Sequence, residues 1–213
     1  MSVHRTVVLA GATSDAGLAA ATALITAGAR VIATGRSRER LAPLQDAGAR
    51  IEVADATSFA EMGALAARLD AVDAVIPLVG GWRGGGGLAG QSDDDFDALL
   101  PALQAVRATS RAFDAAIRAS DAGRFAIVSS TAVARPSAGG ANYAAVKSAS
   151  EAWTRGVAQG YAKAARDAGT ELRAASVILR AAGGLQADTL SRTVVALWDQ
   201  DAAALNDTIL TLG

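Results

Sequence analysis

Tyr143 and Lys147 lie four residues apart in a chain that has only two tyrosines and two lysines. Four residues is close to one helical turn, so a phenol and an ammonium at this spacing share a helix face. Random placement of two Tyr and two Lys over this length gives such a match in roughly 2% of arrangements, so the pair merits a chemical reading. A phenol with a pKa of about 10 is a poor proton carrier at neutral pH, and a neighbouring ammonium favours its ionised form. Ser130, thirteen residues upstream of Tyr143 and at the end of an apolar run, can hold a substrate oxygen. Ser130, Tyr143 and Lys147 are therefore the candidate catalytic set. The plain alternative is a surface Tyr/Lys pair on a helix with an ordinary strand-end serine nearby.

A second constellation lies near the start of the chain. Gly11-Ala12-Thr13-Ser14-Asp15-Ala16-Gly17 follows the first apolar run and opens an amphipathic stretch. In such a turn, glycines and a helix N-terminus let backbone amides receive a pyrophosphate. Gly11, Thr13, Ser14, Asp15 and Gly17 are candidate cofactor contacts. The second run ends Thr34-Gly35-Arg36, without the acidic side chain that would bind a ribose 2′-hydroxyl. The Arg36 guanidinium suits a 2′-phosphate, which favours NADP(H) over NAD(H), although Arg36 can equally be one of the solvated arginines of Arg36-Ser37-Arg38-Glu39-Arg40. Asp55, followed by Ala56, can accept a hydrogen bond from an adenine amine or simply cap the next helix.

These groups need a scaffold to bring them together. At 213 residues with 51% hydrophobic side chains, the chain can bury one sizeable core, and we expect a single dinucleotide-binding and catalytic domain over 1–213. Short apolar runs alternate with longer Ala-rich amphipathic stretches, the pattern of βα units feeding a parallel sheet. Strands are expected at Thr6–Ala10, Arg30–Thr34, Ala49–Ala54, Asp73–Val79, Arg124–Ser129, Glu171–Ile178 and Asp207–Leu212. Helices are expected over about 16–28, 38–47, 58–69, 93–119, 141–168 and 188–199, with Asp15, Ser37, Thr57 and Ser92 as N-caps. The fold class is α/β, a Rossmann-like, doubly wound parallel sheet of about seven strands flanked by helices. Four consecutive glycines in Gly80–Gly87 cannot hold a regular element, because ordering them costs too much backbone entropy. This segment is expected as a mobile loop, a lid or a plain linker, at the strand ends where open α/β sheets place ligands.

Composition narrows the function classes. A net charge of −1 with interspersed signs lacks the basic block of a nucleic-acid binder. Without cysteine, and with His4 the single histidine, neither a thiolate site nor a histidine cluster can form, so no metal is expected. The N-terminal Met1-Ser2-Val3-His4-Arg5 leads straight into the first strand, and no apolar stretch approaches the roughly 18 residues of a membrane span. A cytoplasmic protein is expected.

In this order, the glycine turn, Arg36, Asp55, Ser130 and Tyr143-Ala144-Ala145-Val146-Lys147 resemble the short-chain dehydrogenase/reductase family over nearly the full chain. The resemblance implies a Rossmann-like domain and an NAD(P)-dependent oxidoreductase that interconverts a carbonyl and a secondary alcohol. Tyr143 would exchange a proton with the substrate oxygen. Lys147 would lower the phenol pKa and bind the nicotinamide ribose, and Ser130 would orient the substrate. Val79 and Gly80 stand in the stretch where the family has Asn-Asn-Ala-Gly and are expected near the cofactor. The family commonly pairs through its fourth and fifth helices, which implies a homo-oligomer, dimer or tetramer, acting on a small molecule.

The departures from the family pattern carry expectations too. Asp15 replaces the middle glycine of the turn. A carboxylate facing a phosphate at about 5 Å would cost about 3 kcal/mol at an effective dielectric of 20, whereas one pointing outward merely caps a helix. On the first geometry, Asp15→Gly would tighten NADP(H) binding. The family's helix asparagine falls near Leu103, with Gln104 the nearest amide and equally a surface residue. Leu179-Arg180 replaces the family's Pro-Gly pair, and Arg180 can attract an anion or simply be solvated. These changes keep open a dinucleotide-binding sensor or scaffold with little catalysis.

Overall fold

The structure, a computed structural model, describes residues 4–212; the readings above that touch Met1–Val3 and Gly213 lie outside the described residues. Seven parallel strands, β1 (Thr6–Ala10), β2 (Arg30–Gly35), β3 (Arg50–Val53), β4 (Ala74–Pro77), β5 (Gly123–Ser130), β6 (Ala174–Ala181) and β7 (Thr208–Leu212), form one sheet in the order β3-β2-β1-β4-β5-β6-β7. Helices α1 (Asp15–Thr26), α2 (Arg38–Asp46), α3 (Phe59–Ala66), α4 (Asp93–Ala119), α5 (Ala141–Ala168), α6 (Ala187–Val195) and the short α7 (Ala202–Leu205) cover its two faces.

Side-chain alternation along the strands decides which helices lie where. Val7, Leu9, Val31 and Ala33 turn to one face and pack with Leu24 of α1, Leu41 of α2 and Leu190 of α6. Their neighbours Val8, Ile32 and Val75 turn to the other, against Met62 of α3, Phe113 and Ile117 of α4 and Tyr161 of α5. Strands apolar on both faces belong to a sheet with helices on both sides, and each side chain so buried contributes about 1.5–3 kcal/mol. The strand order reverses between β1 and β4, which opens a crevice at the carboxyl ends of these strands.

The expected strands and helices are present, and the spans of α4 and α5 coincide with expectation. The short α7 is additional, β4 and α3 are shorter than the expected 73–79 and 58–69, and three further details differ. α1 is capped by Ser14, whose Oγ accepts the Gly17 amide at 3.2 Å, so Asp15 is the first helical residue instead of the cap. α3 is capped by Ser58 instead of Thr57, because Asp55 Oδ1 already holds the Thr57 amide (2.9 Å) and hydroxyl (2.8 Å). β6 begins and ends three residues later than the expected Glu171–Ile178, since it pairs with β5 along the whole length from Gly123↔Ala174 to Ser130↔Ala181. That register sets Arg180 beside Ser129.

Candidate active site

At the end of β5 the Ser130 hydroxyl accepts the Ala132 amide at 3.1 Å, which starts a 3-10 turn (Thr131–Val133) and swings the chain off the sheet. The chain returns at α5, whose flanking residue Gly140 has no side chain to cap the helix. A distant residue fills that role: Gln91 Oε1 accepts the amide of Asn142 at 3.1 Å. Tyr143 follows directly, and Lys147 one turn later faces the same way, its Nζ 5.7 Å from the centre of the Tyr143 ring. The Ser130 hydroxyl lies close enough to the Tyr143 phenol to favour its ionised form. Lys147 is 8% exposed and donates to the Val128 carbonyl at 2.8 Å.

Burial governs the electrostatics of this group. Desolvation pushes the Tyr143 phenol above its ordinary range, only partly opposed by the Ser130 hydroxyl, so the expected fall in phenol pKa is outweighed here. Desolvation likewise brings the Lys147 ammonium down to about 8, with the Glu151 carboxylate opposing. At neutral pH the phenol keeps its proton and the ammonium its charge.

The glycine-rich segment after β4, expected as a mobile loop, forms no regular element and is tied by hydrogen bonds to the segment before α5. Gln91 Nε2 donates to the carbonyls of Gly85 (3.0 Å), Gly87 (3.2 Å) and Gly139 (3.0 Å), and the Gly85 amide donates to Gly139 at 2.8 Å. Gly84 needs its missing side chain, because a Cβ there would lie 2.3 Å from the Gly139 oxygen. One residue thus ties the loop to the segment before α5 and caps α5 itself.

Beneath the loop lies a cavity of about 1000 Å³. Ser14, Val79, Gly80, Ser130, Tyr143 and Lys147 all line it. Gly11, Thr13, Asp15, Gly17, Arg36, Asp55 and Ala56 do not, although all follow the carboxyl ends of β1, β2 and β3 at the same edge of the sheet. The turn glycines are required by packing: a Cβ on Gly11 would approach Val79 Cγ2 to 2.4 Å, and one on Gly17 would approach the Ala12 carbonyl to 2.2 Å. The Gly11 and Ala12 amides are spent on the Thr34 carbonyl, both at 3.0 Å. Asp15 and Arg36 are exposed.

Gln104 is exposed and outside the cavity, while Leu103 joins an apolar cluster with Leu99, Val146 and Tyr143. Arg180 is partly buried and does not line the cavity. It grips Glu151 through Nε (2.8 Å) and Nη2 (2.6 Å), and Ser129 Oγ donates to the same carboxylate at 2.6 Å. Burial pushes the Glu151 carboxyl up, but the Arg180 and Ser129 hydrogen bonds more than offset this and hold it below its usual range. Glu151 was missed from the sequence, although its place one turn beyond Lys147 on α5 was a usable signal. For Gln91, 51 residues from the amide it caps, no local signal exists.

A model of the short chain dehydrogenase family matches residues 5–165, well over half of the chain. Among solved structures, the fold is similar to a short chain dehydrogenase from Salmonella enterica serovar Typhi, at 18% identity over 98% of this chain and 96% of that one, with a TM-score of 0.85. A short-chain type dehydrogenase/reductase from Mycobacterium ulcerans gives 16% identity, 97% and 87% coverage and a TM-score of 0.83. A gluconate 5-dehydrogenase from Burkholderia cenocepacia, in complex with NADP and tartrate, gives 22%, 97%, 92% and 0.80 in the same order. No curated protein sequence matches the chain.

Proposed function

The chain belongs to the short chain dehydrogenase family of nicotinamide-dependent oxidoreductases, and from that premise we propose that it interconverts a carbonyl and a secondary alcohol with NADP(H), using Ser130, Tyr143 and Lys147. The observation that carries this reading is their meeting in one cavity with Ser14 of the glycine turn.

The residues present fit a dinucleotide. With the Gly17 amide capped by Ser14, the first amides of α1, on Asp15 and Ala16, have no intrahelical partner, and Ala16 lines the cavity. Gly11, with φ +76°, lets the turn press on Val79. Arg36 would meet the 2′-phosphate. Asp55 Oδ1 is engaged by Thr57, so Oδ2 would take the adenine amine, with Ala56, Val79 and Gly80 alongside. When bound, the dinucleotide supplies or accepts the hydride.

The protein's own groups handle the proton. In reduction, Tyr143 gives its phenolic proton to the substrate oxygen as the carbon receives two electrons with the hydride; oxidation reverses both transfers. Burial raises the phenol pKa, so the charge left on Tyr143 needs stabilising, and the Ser130 hydroxyl and Lys147 ammonium are the groups at hand. Lys147, charged below about pH 8, would also bind the ribose hydroxyls.

Titration with NADPH and NADH tests cofactor choice, tighter NADPH binding being expected; equal affinities would remove Arg36 from the 2′-phosphate. Turnover lost in Tyr143→Phe, with NADPH binding kept, tests the catalytic assignment. A dinucleotide-binding sensor is the second reading, favoured by Leu103 packing in an apolar cluster with Tyr143 where a relay asparagine would stand. It predicts NADPH binding without turnover across a broad carbonyl panel. Our reading also carries one catalytic domain over 1–213, a cytoplasmic location and pairing through α4 and α5, which fractionation and light scattering would check.

A further inference from the structure

The charges around the cavity are one-sided. Among the described residues that line it, only Arg135, Tyr143 and Lys147 carry an ionisable side chain, and no carboxylate is present. Lys147 is engaged with the Val128 carbonyl. Arg135 is exposed, and among the described residues no carboxylate pairs with it.

The backbone that presents Arg135 is anchored on both sides. Before it, the Ala134 amide donates to Thr131 at 3.1 Å; after it, the Gly140 amide donates to Ser137 at 3.1 Å, and Gly139 is held by both Gly85 and Gln91. Arg135 therefore stands on a braced segment that joins Ser130 to Tyr143, the two groups assigned to the substrate oxygen. The dinucleotide phosphates, by contrast, would meet the start of α1. Leu78, Trp82 and Leu185 give the same cavity apolar walls.

We propose that Arg135 recognises the substrate, and that the substrate is an oxo or hydroxy compound bearing an anionic group, carboxylate or phosphate, separated from the reacting carbon by an apolar spacer. A guanidinium with no partner of its own takes such oxygens in a bidentate fork. This proposal rests on the carbonyl–alcohol reading above.

The test compares matched ketones with NADPH: an oxo carboxylic acid, its methyl ester and a phosphate-bearing ketone of similar length. In the wild-type protein kcat/KM is expected to favour an anionic member over the ester by about tenfold or more, the scale of one charge-assisted hydrogen bond. Arg135→Gln should bring that ratio close to one, and Arg135→Lys should restore part of it. A phosphate preferred over the acid would assign phosphate as the anion. Equal use of acid, phosphate and ester, or a preference that persists in Arg135→Gln, would overturn the proposal while leaving the oxidoreductase intact. If nothing turns over, here or across a broad carbonyl panel, the oxidoreductase reading fails by itself. Binding then decides the role of Arg135: the melting temperature with NADP⁺ should rise on adding acid or phosphate in the wild type but not in Arg135→Gln, and no rise, or equal rises, overturns it.

Discussion

The two sides of the cavity are built in opposite ways. On the β5–α5 side, the candidate catalytic groups are fixed by the protein's own hydrogen bonds: Lys147 on Val128, and α5, which carries Tyr143, capped by Gln91. On the turn side, the glycines are consumed by packing, and Arg36, the cation that would read a 2′-phosphate, stands exposed, as does Asp15. Chemistry needs fixed geometry in a dry place, whereas phosphate recognition tolerates flexible, hydrated cations. The first side should therefore fail sharply on substitution and the second by degrees, except at its glycines.

The largest effect is expected on the fixed side. Tyr143→Phe should lower kcat by about a thousandfold, the scale of general acid–base catalysis, with NADPH affinity and melting temperature close to wild type. Residual activity within tenfold of wild type would reject the assignment. Next comes the structural exception on the turn side. Gly17→Ala forces a Cβ against the Ala12 carbonyl and should cost about 3 kcal/mol in denaturant unfolding, so an unchanged midpoint would mean the turn is looser than the structure shows.

Arg36→Ala should weaken NADPH binding about tenfold to a hundredfold and leave NADH nearly untouched, read by titrating both. Raising pH tests the fixed side again. In the folded chain Lys147 loses its proton near pH 8, against 10.5 for an unperturbed lysine. NADPH affinity should then fall about tenfold from pH 7 to 9.5 if the ammonium binds the ribose. Between pH 8 and 10.5 the unfolded chain holds the Lys147 proton and the folded chain does not, so this lysine makes stability rise with pH. Lys147→Met should abolish both dependences, and their survival in that variant would assign them elsewhere. The smallest effect is expected at Asp15. Being exposed and outside the cavity lining, its charge is screened by water, and Asp15→Gly should change the NADPH dissociation constant by no more than about threefold. A tenfold tightening would put the carboxylate against the phosphates after all.

The sequence determined the reactive types and their spacing, the α/β pattern, and the spans of α4 and α5, because helical periodicity, strand alternation and glycine placement are local properties of the chain. Tertiary structure decided how the remaining charges and amides are used. Arg180 meets Glu151 only because β6 pairs with β5 in the register that sets it beside Ser129, and Gln91 caps α5 from 51 residues away. Even the Tyr143 and Lys147 titrations follow this division. Their proximity is written in a four-residue spacing, but burial, which no local pattern fixes, outweighs it in setting where each one holds its proton.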